Sequence, residues 1–269
     1  MKKYLVALSV LAVVTAAILL YLMSDQSALA KVDFLNVGQG DAILLQAPSG
    51  QRVLIDAGPD QAVLGELAQA LPFWAKEIDL AVVSHFHEDH TGGLLPVARS
   101  YRIKELVFGT GQQPGQRGQE LLDALKGEGV NLFMASGRRT ISLGSGCELE
   151  LASPDEGTQD ENDSLVASFR CSGKSWLFLG DATREQQEVL RQELPDWRAE
   201  TVKISHHGSD DGLDEAWLKQ LEARVAVIEV GQGNKYKHPS RRVLKKLERL
   251  GLGIRRTDVE GRISFAYGP

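Results

Sequence analysis

The chain is poor in the residues that most often build small stapled or thiolate-metal proteins. Of its 269 residues only Cys147 and Cys171 are cysteines. Neither has metal-ligand spacing, which excludes a thiolate-built metal site. Outside the cytoplasm the pair is open either to a disulfide or to two buried thiols. Net basic charge is also missing: 30 Lys and Arg stand against 36 Asp and Glu, a formal charge of -6. That excludes a generic polyanion binder, so any attraction for nucleic acid must come from bound metals or from a local patch. There is no long linker and no low-complexity tract. Histidine is scarce as well, with six in all, and where those six fall becomes the main clue.

Charge is absent altogether from Tyr4 to Met23, directly behind Lys2 and Lys3. A helix of that length spans roughly 30 Å, a bilayer core. The lysines favour the cytoplasmic side and leave the rest of the chain facing outward. Ala28-Leu29-Ala30 has the small-x-small form of a signal-peptidase site. Against cleavage, the run is long for a signal core and stays bulky through Tyr21, Leu22 and Met23. Residues 1–30 are therefore read as an uncleaved anchor in preference to a cleaved signal, and residues 31–269 as an extracytoplasmic domain.

In that domain short β-rich runs come first (Val32–Val37, Ala42–Gln46, Arg52–Ile55), punctuated by Gly38-Gln39-Gly40 and Pro48-Ser49-Gly50. Helical periodicity over Ala62–Leu71, Thr91–Ser100, Gln116–Lys126, Thr183–Glu193, Leu213–Leu221 and Ser240–Leu250 alternates with further strands. The clearest of these are Ile78–Val83, Ser175–Leu179, Thr201–Ile204 and Val225–Val230. Val53-Leu54-Ile55-Asp56-Ala57-Gly58 and Leu177-Phe178-Leu179-Gly180-Asp181-Ala182 both end an apolar strand on an aspartate among small residues. The echo suggests two related β-rich halves covered by helices, an α/β sandwich of four layers.

Ordinary histidines scatter along a chain. Here His85, His87 and His90 fall within six residues, and His206 and His207 are adjacent. Ser84-His85-Phe86-His87-Glu88-Asp89-His90 follows a strand, and in its extended exit His85 and His87 share a face and can grip one ion. The helix beginning at Asp89 and His90 swings those two toward a second. Imidazole and carboxylate suit zinc, and manganese or iron can use the same set. Asp181 after its strand is either a helix N-cap or a bridge between two ions. One of His206 and His207 is expected on the second ion, with Ser209 just beyond. His238 is either a loop histidine or a general acid or oxygen contact. Asp56 and Asp41 are candidates for orienting a ligand, with turn-capping the alternative for Asp41.

Taken in order, these segments resemble the metallo-β-lactamase superfamily, whose hallmark is His-x-His-x-Asp-His after a strand. More closely they are similar to the extracytoplasmic hydrolase domain of ComEC DNA-uptake proteins. The resemblance covers Val32 to Phe265. It rests on Asn36–Ala42, Leu54–Gly58, His85–Leu94, Asn162-Asp163-Ser164-Leu165, Leu179-Gly180-Asp181, His206–Ser209, Asn234–Pro239 and Arg256-Thr257-Asp258 with Gly261. It implies an αββα sandwich, a two-metal site and hydrolysis of a DNA phosphodiester; from the residues themselves the two ions are expected to be zinc or manganese, with Asp89 and His238 in catalytic roles. Two departures stand out. No histidine lies between His90 and His206, where many superfamily enzymes carry one, so Asn162 or Asp163 fills that stretch and the first ion should be water-rich. Position 87 is His, where ComEC-like sequences often show Asp. ComEC proteins also carry a multi-helix channel, whereas this chain has one apolar run, so any channel partner would be a separate protein.

The direction toward DNA comes also from charge. Between Lys235 and Arg256 nine basic residues oppose one acid, Glu248. The helix over Ser240–Leu250 turns Arg241, Arg242, Lys245 and Lys246 outward. That strip is either a solvated helix face or a contact for phosphates. A metallo-hydrolase of a small ester, lactone or lactam would not need it. A non-catalytic DNA-binding accessory would not need so full a ligand set.

Overall fold

The computed structural model describes residues 4, 8–17, 29–109, 114–153 and 163–268. Residues 8–17 are helical, and among the described residues no helix is long and apolar enough to cross a membrane. The rest of the apolar run, Ala28 and Asn162 lie outside the described residues.

Among the described residues fourteen strands form two seven-stranded sheets. The first holds β1 (Ala30–Phe34), β2 (Ile43–Gln46), β3 (Arg52–Ile55), β4 (Glu77–Val83), β5 (Arg102–Gly109) and β6 (Asn131–Ala135) in that order, with β14 (Ile263–Tyr267) beside β1. The second runs from β7 (Arg138–Ser142) through β8 (Glu148–Ala152), β9 (Val166–Cys171), β10 (Lys174–Phe178), β11 (Thr201–Lys203) and β12 (Val225–Ile228) to β13 (Gly253–Arg256). The strands that carry the echo occupy matching places. β3 pairs antiparallel with β2 and parallel with β4, and β10 pairs antiparallel with β9 and parallel with β11. Only β14 breaks the symmetry, by crossing back to the first sheet.

Period-two alternation buries both faces of each sheet. In β10, Trp176 and Phe178 enter the core between the sheets with Phe34, Leu45, Val82 and Phe169, while Leu177 meets the outer helices. Helices α1 (Ala62–Ala70), α3 (Leu94–Ser100) and α4 (Gly115–Gly127) cover the first sheet. Helices α5 (Arg184–Glu193), α6 (Glu215–Gln220) and α7 (Arg241–Arg249) cover the second. The result is the expected four layers. Cys147 and Cys171 are bonded, tying the approach to β8 to the end of β9.

Two local readings change. The helix expected over Thr91–Ser100 is split into α2 (Glu88–Thr91) and α3. Gly92 and Gly93 at the break pack so closely on the Pro59 and Ala57 carbonyl oxygens that a Cβ on either would lie 2.0 Å from one of them. Strands β7 and β13 go beyond the sequence reading because both are sheet edges with charge in them, Arg138-Arg139 and Arg255-Arg256. Charged edges deter pairing with other chains and blur the apolar signal of a strand. The last helix, α8 (Thr257–Glu260), is a single turn.

Candidate metal centre

Parallel pairing delivers the ends of β3 and β4 to one edge of the first sheet, and those of β10 and β11 to the facing edge of the second. Asp56, just past β3, is buried with φ 56°. It accepts the Ser84 amide at 2.8 Å and the Ser84 hydroxyl at 2.6 Å, and it meets His90 Nδ1 at 2.8 Å. That contact fixes the ring so that Nε2 faces the interior. Across the gap, Gly180 (φ 54°) slots between Ser84 and Ser164, whose side chains would lie 2.8 Å from a Cβ there. The Asp181 amide donates to Ser164 Oγ at 3.0 Å.

The Asp181 carboxylate is the hub. It lies 3.3 Å from His90 Nε2, 3.8 Å from His85 Nε2, and 3.9 Å from Nε2 of both His206 and His207. His207 Nε2 also stands 3.2 Å from Asp89 Oδ2. His87, at the start of α2, sets its ring 4.5 Å from that of His85. Two donor groups at the hub therefore share His90, namely His85, His90 and Asp181, and Asp89, His90 and His207, and a third, Asp41, Asp56 and His90, lies on the other side of the same ring. His85 Nε2, His90 Nε2 and Asp181 Oδ1 are buried without a well-aligned hydrogen bond. Buried polar atoms left this way cost energy unless something else binds them. Imidazole nitrogens and carboxylate oxygens converging on shared points fit divalent ions.

His206 and His207 both adopt left-handed backbone, φ 49° and 51°. For non-glycine residues this costs of order 1–3 kcal/mol each and persists where surroundings enforce it. The His206 amide donates to the Gly180 carbonyl at 3.2 Å, and His207 Nδ1 meets the Glu229 carbonyl at 2.9 Å. The result separates the pair. His207 is buried and joins Asp89 and His90, while His206 is part-exposed with Nδ1 3.4 Å from Asp211.

Charge in the cluster is coupled. Burial works against protonation of His207, but Asp181, Asp41 and Asp89 outweigh it and push its pKa up to about 10. Burial also opposes a proton on His90, yet Asp181, Asp41 and Asp56 hold its pKa well above the ordinary value. Burial and the neighbouring His90 charge keep His85 neutral, its pKa far below the usual range. A metal ion must displace protons from His90 and His207. Affinity should therefore rise with pH up to about 10, and binding at neutral pH should release protons. Titration calorimetry in buffers of different ionisation enthalpy checks this, and a heat of binding independent of buffer would contradict it.

His238 lines the mouth with Gln39, His87 and Tyr236. Its ring lies 5.8 Å from that of His206 and stacks on Tyr236. Burial, then His206 and His207, lower its pKa. Past it opens a cleft of about 570 Å³ lined by Ser209, Tyr236, Lys237, His238, Ser240 and Arg241, with Asp210 at its side. The basic strip is divided. Arg242 lies 3.6 Å from Asp210, Lys246 and Arg249 reach Glu215 at 3.7 and 2.9 Å, and Lys245 is exposed.

Beneath the hub lies a charged layer that motif spacing alone does not reveal. Lys203 is fully buried, pairs with Asp41 and donates to the Gly180 carbonyl at 2.8 Å. Glu229, also fully buried, accepts the Ala42 amide at 3.1 Å. Each is a lone charge in an apolar strand run (Thr201–Ile204, Val225–Val230), a signal available in the sequence. Asp163 is buried next to Ser164 in the loop before β9.

The profile of the metallo-beta-lactamase superfamily matches residues 35–229. The chain belongs to that superfamily. Curated superfamily relatives include ComE operon protein 3 of Bacillus subtilis, 28% identical over 94% of this chain and 35% of its own length. Competence protein ComA of Neisseria gonorrhoeae is 24% identical over 89% of this chain and 32% of its own. The chain thus spans about a third of these proteins. The metallo-beta-lactamase fold protein YhfI of Bacillus subtilis superposes with TM-score 0.60 at 13% identity, covering 89% of this chain and all of that one. Zn(2+)-bound PqqB of Methylobacterium extorquens gives TM-score 0.57 at 14% identity, covering 84% and 87%. At such identities these structures speak for the fold alone. Superfamily membership and the donor clusters together make the chain a metal-dependent hydrolase by family.

Proposed function

We propose that the chain is a two-metal phosphodiesterase that cleaves DNA in the setting of DNA uptake, held by its N-terminal run on the outer face of a membrane. The observation that carries the reading is the continuity of the Asp181 hub with the cleft holding Lys237 and Arg241, through His238 and Tyr236, which line both. Competence relatives give it a biological setting.

In this reading His85, His87 and Asp181 would hold one ion, zinc or manganese, and Asp89, His90, Asp181 and His207 would hold the other. Divalent ions there would supply Lewis-acid polarisation and lower the pKa of a water to about 7. The chain's own residues do the rest. Asp56 orients His90, and Glu229 through its carbonyl, with Asp41, orients His207. His238, beside the hub, donates a proton or a hydrogen bond to the leaving oxygen. Lys237 and Arg241 hold the phosphate next along the strand, Arg241 with two donors in one plane.

The full-length protein, with zinc or manganese, is tested on single- and double-stranded DNA beside a small phosphodiester, a lactam and a thioester. Metal-dependent DNA cleavage is expected. Hydrolysis of the lactam or thioester with no DNA cleavage in either metal would replace this reading by that of a small-molecule hydrolase. Changing Lys237 and Arg241 to Gln should weaken DNA binding and reduce the salt slope by roughly two, about one per lost phosphate contact. Small-diester turnover should fall much less.

A further inference from the structure

The end of the first sheet remote from the hub carries two bare aromatic rings. Phe73 is 82% and Trp74 44% exposed, and the rings meet edge to face with centroids 4.9 Å apart. Both lie in the turn between α1 and β4. The other three tryptophans, Trp176, Trp197 and Trp217, are at most 1% exposed. Two large apolar side chains side by side at a tip mark a contact surface more than a solvated one.

Strand directions show what that tip faces. β1 is antiparallel to β2, β2 to β3, and β3 is parallel to β4, so β1 and β4 point the same way. The start of β1 and the Phe73–Trp74 turn are thus at one end of the sheet, and the His85 loop is at the other. Register places them almost level. Lys31 lies opposite Gln46, Gln46 opposite Arg52, and Val53 opposite Leu80, which leaves Glu77 and the turn before it slightly further out than Ala30. Three strand spacings, roughly 14 Å, separate β1 from β4 laterally. The residues between Met23 and Ala30 can reach up to about 20 Å, so the apolar run and the aromatic pair can meet one surface. Exposed Lys76 and Arg102 adjoin the pair, the Arg102 amide donating to the Lys76 carbonyl at 2.8 Å. Aromatic rings flanked by lysine and arginine suit the headgroup layer of a bilayer.

We propose that this end of the domain docks on the lipid surface. Phe73 and Trp74 sit among the headgroups of the membrane that the N-terminal run enters, with Lys76 and Arg102 toward lipid phosphates. The inference rests on the anchor reading. It sets the orientation of the enzyme: β4 lifts the metal centre some 20 Å off the bilayer and opens it outward, toward polymer substrate and away from lipid.

The test uses the full-length chain in phosphatidylcholine–phosphatidylglycerol vesicles whose acyl chains are brominated near the headgroup or near the bilayer centre. The N-terminal run has no tryptophan and the other three are buried, so quenching reports Trp74. Expected is partial quenching by the shallow bromines, less by the deep ones, its loss in Trp74→Phe, and its weakening in Phe73→Ser. Protein that floats with vesicles but is not quenched overturns the docking and leaves the anchor standing. Protein that does not float overturns both. A concentration-dependent blue shift without lipid assigns the tip to a second copy of the chain and also overturns the proposal.

Discussion

Asp181→Ala is expected to lose bound metal and hydrolysis together. Among the described residues no other carboxylate stands within 4 Å of four imidazoles, and none reaches both hub donor groups as Asp181 does. Charge stabilisation by a metal pair is worth several kcal/mol. Losing about 4 kcal/mol, at about 1.36 kcal/mol per decade, lowers turnover roughly a thousandfold. The change has a second signature, independent of activity. Asp181 is the largest favourable influence on the protons of both His90 and His207. Without it, both pKa values fall in the metal-free protein, and the histidine signals in an NMR pH titration move to lower pH. Asp181→Asn keeps the shape and should do the same. His238→Ala is the contrast, retaining metal while slowing turnover by roughly 10²–10⁴-fold if the ring is a general acid. Full metal content by elemental analysis with near-normal turnover in Asp181→Ala would remove the aspartate from the centre of the site.

That hub was half visible in the sequence. His85, His87, Asp89 and His90 lie on one short loop, so spacing alone brings them together. The apolar strands ahead of Asp56 and Asp181 advertised a matched pair of strand ends, and the sheets place them so. What local reading could not supply was partnership across the fold. Choosing between His206 and His207 needs the left-handed turn that buries one and leaves the other part-exposed. The strip after Lys235 reads as free positive charge because its counter-ions, Asp210 and Glu215, precede it in sequence and reach it only through packing. Lys203, Asp41 and Glu229 come from three separate segments. Lys203 and Glu229 look like stray charges until the Gly38–Ala42 turn brings Asp41 to Lys203 at the end of β11 and the Ala42 amide to Glu229 just past β12.

Lys203→Met should therefore be among the most damaging changes outside the metal ligands. Burial disfavours a charged Lys203, yet Asp41, Asp181 and Glu229 outweigh it and raise its pKa. Burial likewise opposes an ionised Asp41, which Lys203, then His90 and His207, hold charged with a lowered pKa. Removing one partner strands the other. A buried pair broken this way costs about 3–5 kcal/mol, mostly the penalty of the charge left behind. Pairing the change with Asp41→Asn removes both charges and should recover most of the loss. Simple loss of packing predicts no such rescue, because Asn fills no more space than Asp. The effect should be largest after chelation. Bound metal stabilises the folded state by mass action and brings positive charge near Asp181. Urea unfolding of the full-length protein in detergent, followed by the emission of buried Trp176, Trp197 and Trp217, measures all four combinations with and without EDTA. An Asp41→Asn/Lys203→Met protein no more stable than Lys203→Met alone would show that Lys203 acts as a spacer. The layer beneath the hub would then be inert filling, and the orientation of His207 would rest on the Glu229 carbonyl alone.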